Sequence, residues 1–382
     1  MWRAVASNAI TLLIFAILLV SGVVYWGQSM YKGQGPLEQA VCYRLEPGSL
    51  MGKVSQDLLG INAISNDRIF RIGADYDDKS NQLKAGSFLI PEAASMQEIV
   101  AIITRSGANT CGTEIVYRVG IAASGIQIRE LDPATRKLNE VGSFIVGEDP
   151  HPAFDKFKDE PDTRHRLALA EGVTSWQVVQ ALNAVPVLRG DITEIPDEGS
   201  LAPNSYEVRA GDTRASVIDR MRQDQALILQ EAWENRQADL PYKTPQEALI
   251  MASIIEKETA LAEERRTISS VFVNRLRRDM PLQTDPTVIY GITKGQGILG
   301  RGLRRSELRA NTPWNTYTNK GLPVTPIANP GEASIKAALD PDGAEFIFFV
   351  ADGTGGHAFA KTLAEHNQNV AKWRAIEAQR DN

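Results

Sequence analysis

Between Thr244 and Thr259 the chain reads TPQEALIMASIIEKET, and the eight residues ALIMASII carry no charge. A helix that is apolar on every side belongs inside a core, so a domain has to be wrapped around this one. Its start is marked three times: Thr244 suits the N-cap, Pro245 the first helical position, and Glu247 completes a capping box. The apolar run ends in Glu256-Lys257-Glu258, which puts two carboxylates where a buried helix emerges. At about 100° per residue they point about 200° apart, so only one can face a given cleft. A carboxyl in half-apolar surroundings has its ionised form disfavoured, which suits a general acid. The plainer alternative is a helix that ends in solvated charges.

The chain has 382 residues, 43% hydrophobic and 23% charged, which is globular composition and enough for two or three domains. A net charge of −6 gives no basic character and hence no reason to expect nucleic acid. Compartment is decided at the N-terminus. No charged residue lies between Arg3 and Lys32, and Ala9–Trp26 is an apolar stretch ending in Tyr25-Trp26. As a helix that stretch is about 27 Å long, close to the hydrocarbon thickness of a bilayer, with its aromatics at one interface. A cleaved signal peptide is the rival, but no small-x-small cleavage site follows the run. Residues 1–8 are then a short cytoplasmic N-terminus, 9–26 the single membrane anchor and 27–37 a linker. Lys32 weakens the charge bias that sets this orientation. Cys42 and Cys111 are the only cysteines. In an oxidising compartment they form one disulfide across a long loop, and otherwise two free thiols. With four scattered histidines, no metal site is legible.

Along the chain the periodicity switches repeatedly. Ala40–Leu45 reads as a strand, Pro47-Gly48 as a turn, Ser49–Leu59 and Asn66–Ile72 as helices, and SFLI as a second strand. Ser95 caps an amphipathic helix stopped by Gly107, and Thr113–Val119 alternates as a strand. The stretch Ala122–Arg164 is polar and rich in Pro and Asp, with one strand-like patch at Gly142–Val146; it reads as an insertion or exposed hairpin. Thr174 caps SWQVVQALNAV, and Pro186–Asp197 is a boundary. Beyond it come a strand in LAPNSYEV, a long helix from Asp212/Thr213 to about Arg236, the central helix, and a helix over Glu263–Arg278. Thr284-Asp285-Pro286 starts another. A loop with Lys294, Arg301, Arg304, Arg305 and Arg309 leads to the turn-rich, aromatic Trp314–Pro330. Ser334–Leu339 is a short helix, EFIFFV a buried strand, Gly353–Gly356 a turn into His357, and the last helix starts at Leu363.

Nucleophilic chemistry finds little support, since there is no Gly-x-Ser-x-Gly elbow and Ser253 lies mid-helix. The glycine-rich GTGGH lacks the lysine of a phosphate loop. What remains is carboxylate chemistry beside groups that hold sugars: Gln283, Trp314, Asn315, Tyr317 and Asn329. Each has a structural reading too. Asp285 can be an N-cap, Asn315 a turn brace, His357 a hydrogen bonder at a strand mouth, and the arginines a solvated loop that would also suit an acidic polymer.

The strings EGSLAPNSYEV, MASIIEKETA, SVFVNRL, LQTDPTVIYG, NTYTNKGLPVTPIANPG and FFVADGTGGHAFAKTLAEHN occur in that order from Asp197 to about Val370. In them the sequence resembles the endolytic murein transglycosylases of the MltG/YceG-like family. The upstream segments KAGSFLIP and EGVTSWQVV are similar, more weakly, to that family's LysM-like module. Ala122–Arg164 departs from the pattern, and Trp314 stands where many relatives carry tyrosine.

The resemblance implies an α+β fold: a single N-terminal transmembrane helix, a LysM-like α/β module over 38–185 with its insertion at about 122–164, and a YceG-like catalytic domain over 196–378 with a lysozyme-like glutamate. It implies cleavage of the β-1,4 bond between N-acetylmuramic acid and N-acetylglucosamine within glycan strands, leaving 1,6-anhydro ends and ending elongation of nascent strands. No cofactor is implied. The substrate is then the glycan strand of peptidoglycan, and the setting is the inner membrane with the catalytic domain in the periplasm. Its protein partners would be penicillin-binding proteins and other cell-wall synthesis proteins. The catalytic residue is expected at Glu258, because Glu258-Thr259 resembles the Glu-Ser pair of other lytic transglycosylases, with Glu256 as supporting or alternative acid. Gln283, Asp285, Trp314, Asn315, Tyr317, Asn329 and His357 are the expected substrate-binding residues. Two rivals stand beside this reading: a hydrolytic muramidase with Asp285 as second carboxylate, and a non-catalytic glycan-binding scaffold.

Overall fold

The computed structural model describes residues 2–105, 109–160 and 162–380. The chain forms two compact units, whose segments alternate along the sequence. The first comprises Met1–Ile115, Gln127–Ser143 and Pro150–Arg164, and the second Val116–Ile126, Phe144–Asp149 and His165–Asn382.

The first unit begins with helix α1 (Trp2–Lys32), whose described residues from Ile10 on are apolar and long enough to cross a membrane. The helix runs through Gly27–Lys32, which corrects the flexible-linker reading of that segment. Nothing there breaks a helix, and Tyr31 has a partner to hold it: its ring is buried and its hydroxyl donates to Asp77 Oδ2 at 2.9 Å. Next come β1 (Val41–Leu45), α2 (Met51–Gly60), α3 (Asp67–Tyr76), β2 (Gly86–Ile90) and α4 (Met96–Thr104). Strands β1 and β2 pair antiparallel with Cys42 opposite Leu89. Asn66 caps α3 by accepting from the N–H groups of Arg68 and Ile69, and Ser95 caps α4 in a reciprocal box with Glu98. Helix α4 ends at Thr104; the stop expected at Gly107 lies outside the described residues. Val54, Leu58, Ile64, Phe70, Ile90, Ile99 and Ile103 are fully buried and make one core. A disulfide joins Cys42 to Cys111 with the Cα atoms 5.7 Å apart.

After β3 (Thr113–Val119), the stretch read as an insertion is more regular than its composition suggests. It holds β4 (Ser124–Asp132), β5 (Lys137–Ile145) and α5 (Pro152–Phe157), followed by β6 (Arg164–Leu169). The strand-like patch at Gly142–Val146 is the end of the longer β5, and β4 was hidden by its polar surroundings. With a later strand, β7 (Ser205–Val208), these strands form a five-stranded sheet in the order β5-β4-β3-β6-β7.

The second unit continues with α6 (Ser175–Asn183), β7 (Ser205–Val208), α7 (Arg214–Glu234) and α8 (Pro245–Glu258). A 3-10 turn at Ala262–Glu264 leads into α9 (Arg265–Arg277), α10 (Asp285–Thr293), α11 (Arg305–Leu308) and α12 (Glu332–Leu339). The short β8 (Phe348–Ala351) and β9 (His357–Ala360) pair antiparallel, and α13 (Leu363–Arg380) closes the chain. β8 is half-exposed along its length rather than buried, because it has only one neighbour strand. Helix α8 is the axis of this core: every residue from Ala248 to Ile255 is buried, among Phe272 of α9, Ile335 of α12 and Ile327. Its start differs in one detail from the expected box. Thr244 accepts from Glu247 N–H, but the Glu247 carboxylate reaches back to the N–H of Lys243. Buried Arg214, at the start of α7, donates to the carbonyls of Leu182, Asn183, Val185, Leu188 and Gly190, fastening the end of α6 to α7.

Candidate active site

Where α8 leaves the core, its two glutamates diverge. Glu256 turns to one side, where its Oε2 accepts from Gly331 N–H at 3.0 Å. Glu171 is on this side too, and burial and then the charge of Glu256 raise its pKa, while Arg265 at 3.6 Å opposes the rise. Lys257 donates to Gly172 O at 3.3 Å, and burial lowers its pKa. Glu256 therefore fastens the segment that follows Asn329.

Glu258 faces the other way and is half-buried. It accepts a hydrogen bond from the Thr284 hydroxyl. Burial raises its pKa most, and the nearby charge of Asp285 adds to the rise; the Thr284 hydrogen bond, His357 and Arg275 oppose it. The balance holds its pKa above that of a free glutamate. Thr259, the C-cap, ends the helix in an extended conformation and donates from its hydroxyl to Glu264 Oε2 at 3.2 Å. Glu264 in turn takes the backbone N–H of His357 and pairs with its Nδ1, each at 2.7 Å. The end of α8 and the start of β9 are held together through this one carboxylate.

The loop before α10 supplies the facing wall. Gln283 is exposed and has φ +50, a left-handed conformation that a non-glycine residue adopts only when its surroundings enforce it. Its N–H donates to Thr316 O at 3.1 Å, and Thr284 N–H donates to Thr316 Oγ1 at 3.1 Å. Thr284 occupies the N-cap position of α10, so Asp285 is the first helical residue and not the cap. That leaves its carboxylate outside the helix start, where Oδ1 accepts from the Tyr317 hydroxyl at 2.6 Å. Burial and this bond push the Tyr317 phenol well above its ordinary range. Arg275, buried behind the site, donates to Ile347 O at 2.7 Å and to Leu282 O.

Of the expected site residues, Glu258, Asp285, Tyr317 and His357 thus share one neighbourhood, with Gln283 on the loop that carries Thr284. Two amides are corrected. Asn315 is buried and fully used: its NH₂ donates to the carbonyls of Glu307, Leu308 and Ala310, and its Oδ1 accepts from Tyr317 N–H. Asn329 is also buried, donating to Val173 O, Ser175 Oγ and Glu198 Oε1 and accepting from Leu201 N–H. Both brace loops and offer no free edge to a sugar. Trp314 donates to Thr325 Oγ1 at 2.9 Å, and the Lys294 ammonium sits 3.3 Å from its ring centroid, so the expected open stacking face carries a cation.

Sequence reasoning missed Thr284, Glu264, Arg275 and Glu198. Thr284 was read only as a helix start, and Glu264 sits in the charged run AEERR, where no periodicity marks one residue out. Glu198 is a half-hidden hub: it accepts from Ser175 N–H at 2.8 Å and Tyr290 OH at 3.1 Å, with burial raising its pKa against those bonds.

The chain is similar to known proteins along most of its length. The chain is 29% identical over 361 residues to the endolytic murein transglycosylase of Bacillus subtilis, covering 93% of this chain and 91% of that protein. It is 25% identical over 378 residues to the endolytic murein transglycosylase of Streptococcus pneumoniae strain D39, where it spans 65% of the relative's length. A solved YceG-like protein from Listeria monocytogenes is 25% identical over 87% of this chain, with a TM-score of 0.46. The model of the YceG-like family matches residues 43–372, so the chain belongs to the YceG-like family.

Proposed function

We propose that this chain is a membrane-anchored endolytic murein transglycosylase, with Glu258 as its catalytic acid and base. The observation that carries the reading is one half-buried carboxyl at the mouth of the core helix, hydrogen-bonded by Thr284 and with its pKa raised by burial. Protonated Glu258 gives its proton to the glycosidic oxygen as the bond from C1 of the muramic acid breaks. The resulting carboxylate then takes the proton of the C6 hydroxyl as O6 bonds to C1. The proton count closes on one residue and no water is consumed. Asp285, the second carboxylate a hydrolase would need, accepts from the Tyr317 hydroxyl through Oδ1. Gln283, Tyr317 and His357 are the candidates to position the sugar.

The β-α-α-β order of the first unit supports a LysM-like role. A groove of about 330 Å³ there is lined by Gly48, Ser49 and Leu50 after β1 and by Ser80, Asn81 and Leu83 before β2. This groove is our proposed second glycan contact. α1 is the proposed inner-membrane anchor, with the chain that follows it on the periplasmic side, where strand release would bring the enzyme beside cell-wall synthesis proteins such as penicillin-binding proteins.

The full chain in detergent, given isolated glycan strands, should yield internal fragments with anhydro ends, read by mass spectrometry. Reducing ends, heavier by one water, would establish a muramidase instead. Binding without any cleavage would establish a scaffold.

A further inference from the structure

The first unit holds a second apolar surface, tied by geometry to the membrane helix. Tyr31 is in the core of this unit, and its ring lies so close to α3 that a Cβ at Gly73 would sit 2.2 Å from Tyr31 Cε2. Its hydroxyl holds Asp77, one turn further along, and the chain beyond is tied by Gly35 N–H to Ala93 O at 3.1 Å. The end of α1 and helix α3 are therefore one rigid piece.

That fixes a height. Tyr31 follows Trp26 by five residues, or roughly 7.5 Å at 1.5 Å per residue. The headgroup layer on each side of the hydrocarbon core is about 5–7.5 Å thick. With α1 as the anchor, Gly73 and its neighbours lie at the outer edge of the headgroups.

The faces of α3 are sorted to match. Phe70 and Ala74 point into the core, while Gly73 and Asp77 hold Tyr31. On the exposed side of that seat comes the row Ile72 and Tyr76, 68% and 83% exposed. Arg71 and Asp75 form the next row, on the side away from the Tyr31 seat, and Arg68 stands one turn before Ile72. Single exposed apolar residues need no explanation. Here the two largest on α3 share the row next to the one that seats Tyr31, with Arg68 in the first turn as the charge at its end. Tyrosine favours the interface between lipid and water, and exposed Lys32 is placed for lipid phosphates.

We infer that α3 rests on the bilayer surface through Ile72 and Tyr76, making the first unit a second, interfacial contact with lipid beyond the span itself. The inference rests on the reading of α1 as the anchor. The occupant of this row is the lipid interface of the leaflet from which α1 emerges. Contact there holds the first unit against the membrane at a fixed tilt, so that its proposed glycan groove samples strands close to the bilayer.

The native cysteines are consumed in the disulfide, so one introduced thiol labels cleanly. Full chains carrying Leu18→Cys, Arg71→Cys or Tyr76→Cys are each labelled with an environment-sensitive fluorophore. They are reconstituted in vesicles of phosphatidylcholine and phosphatidylglycerol, and the label is quenched by lipids spin-labelled at shallow or deep positions or by aqueous iodide. The label at 18 should be quenched by deep lipid. The label at 76 should be quenched by shallow lipid and shielded from iodide, and the label at 71 should stay open to iodide. A label at 76 as open to iodide as the one at 71, with the label at 18 deep, overturns the α3 contact and leaves the anchor standing. A label at 18 outside the bilayer overturns both.

Discussion

Replacing Cys42 and Cys111 together by serine should destabilise the first unit and leave the second unchanged. The residues are 69 apart in sequence, and cross-linking so long a loop removes unfolded-state entropy worth about 4.4 kcal/mol at 25 °C in the chain-entropy model. The native state loses little in exchange. Thr110 and Cys111 both donate their N–H groups to Ser87 O, and Thr110 Oγ1 accepts from Leu89 N–H, so the segment stays on β2 without the bridge. A loss of about 4 kcal/mol is a large part of the 5–15 kcal/mol that holds a typical domain. Denaturant-dependent hydrogen exchange on the full chain separates the two units. Amides of β1, β2 and α4 should lose about 4 kcal/mol of protection, and amides of α8 and α9 none. A loss below about 1 kcal/mol in the first unit would refute the entropic reasoning. An equal loss in both would show that they open together.

Gly73→Ala should drive Tyr31 from its seat, speeding exchange at the Gly33 and Asp77 amides while cleavage of isolated glycan is retained; unchanged exchange would show that α1 is not locked to α3. Arg214→Met strips five carbonyls of their donor, three of them in buried bonds, and should cost about 3–5 kcal/mol in the second unit, read from the same exchange experiment. The pH profile of cleavage should fall as pH rises through the elevated pKa of Glu258, because the acid must start protonated. Thr284→Val removes a bond that favours the carboxylate, so the alkaline limb should move to higher pH, and movement to lower pH would contradict the assignment. Stability follows the same sign: a raised carboxyl pKa contributes stability below the unfolded value that is lost as pH rises through the folded one.

The parts of this fold legible in the sequence are those fixed by local chemistry. Thr244-Pro245 and Thr284-Asp285-Pro286 announce helix starts, and the uncharged ALIMASII declares its own burial. The opposite headings of Glu256 and Glu258 follow from helix geometry alone. What could not be read depends on distant partners. Gly27–Lys32 looks like a linker until Tyr31 meets Gly73 and Asp77. Asn315 and Asn329 have the right chemistry for sugars, but the direction of an amide is set by the loop around it, and here both turn inward. Strand β4 alternates, with Ile126 and Ile128 buried, yet the Pro and Asp around it masked the pattern. Thr284 is legible as a helix start but not as a partner of Glu258, and Glu264 carries no signal of its own; only the fold brings them to Glu258, Thr259 and His357.

The direct test of the catalytic account compares Glu258→Gln with Glu256→Gln in the full chain, on the same undigested glycan, with hydrogen exchange as the folding control. Glutamine keeps the volume and the bond from Thr284 but has no proton to transfer. Loss of general acid–base catalysis typically costs about 10²–10⁴-fold, and Glu258 serves both halves of the reaction. The Glu258 variant should therefore stay folded and lose nearly all anhydro-ended products. The Glu256 variant, weakened only at its bond to Gly331, should retain activity, with its defect in positioning. A Glu258 variant that cuts normally while the Glu256 variant is dead would place the chemistry on the other side of α8. Normal cutting by both would remove it from this helix.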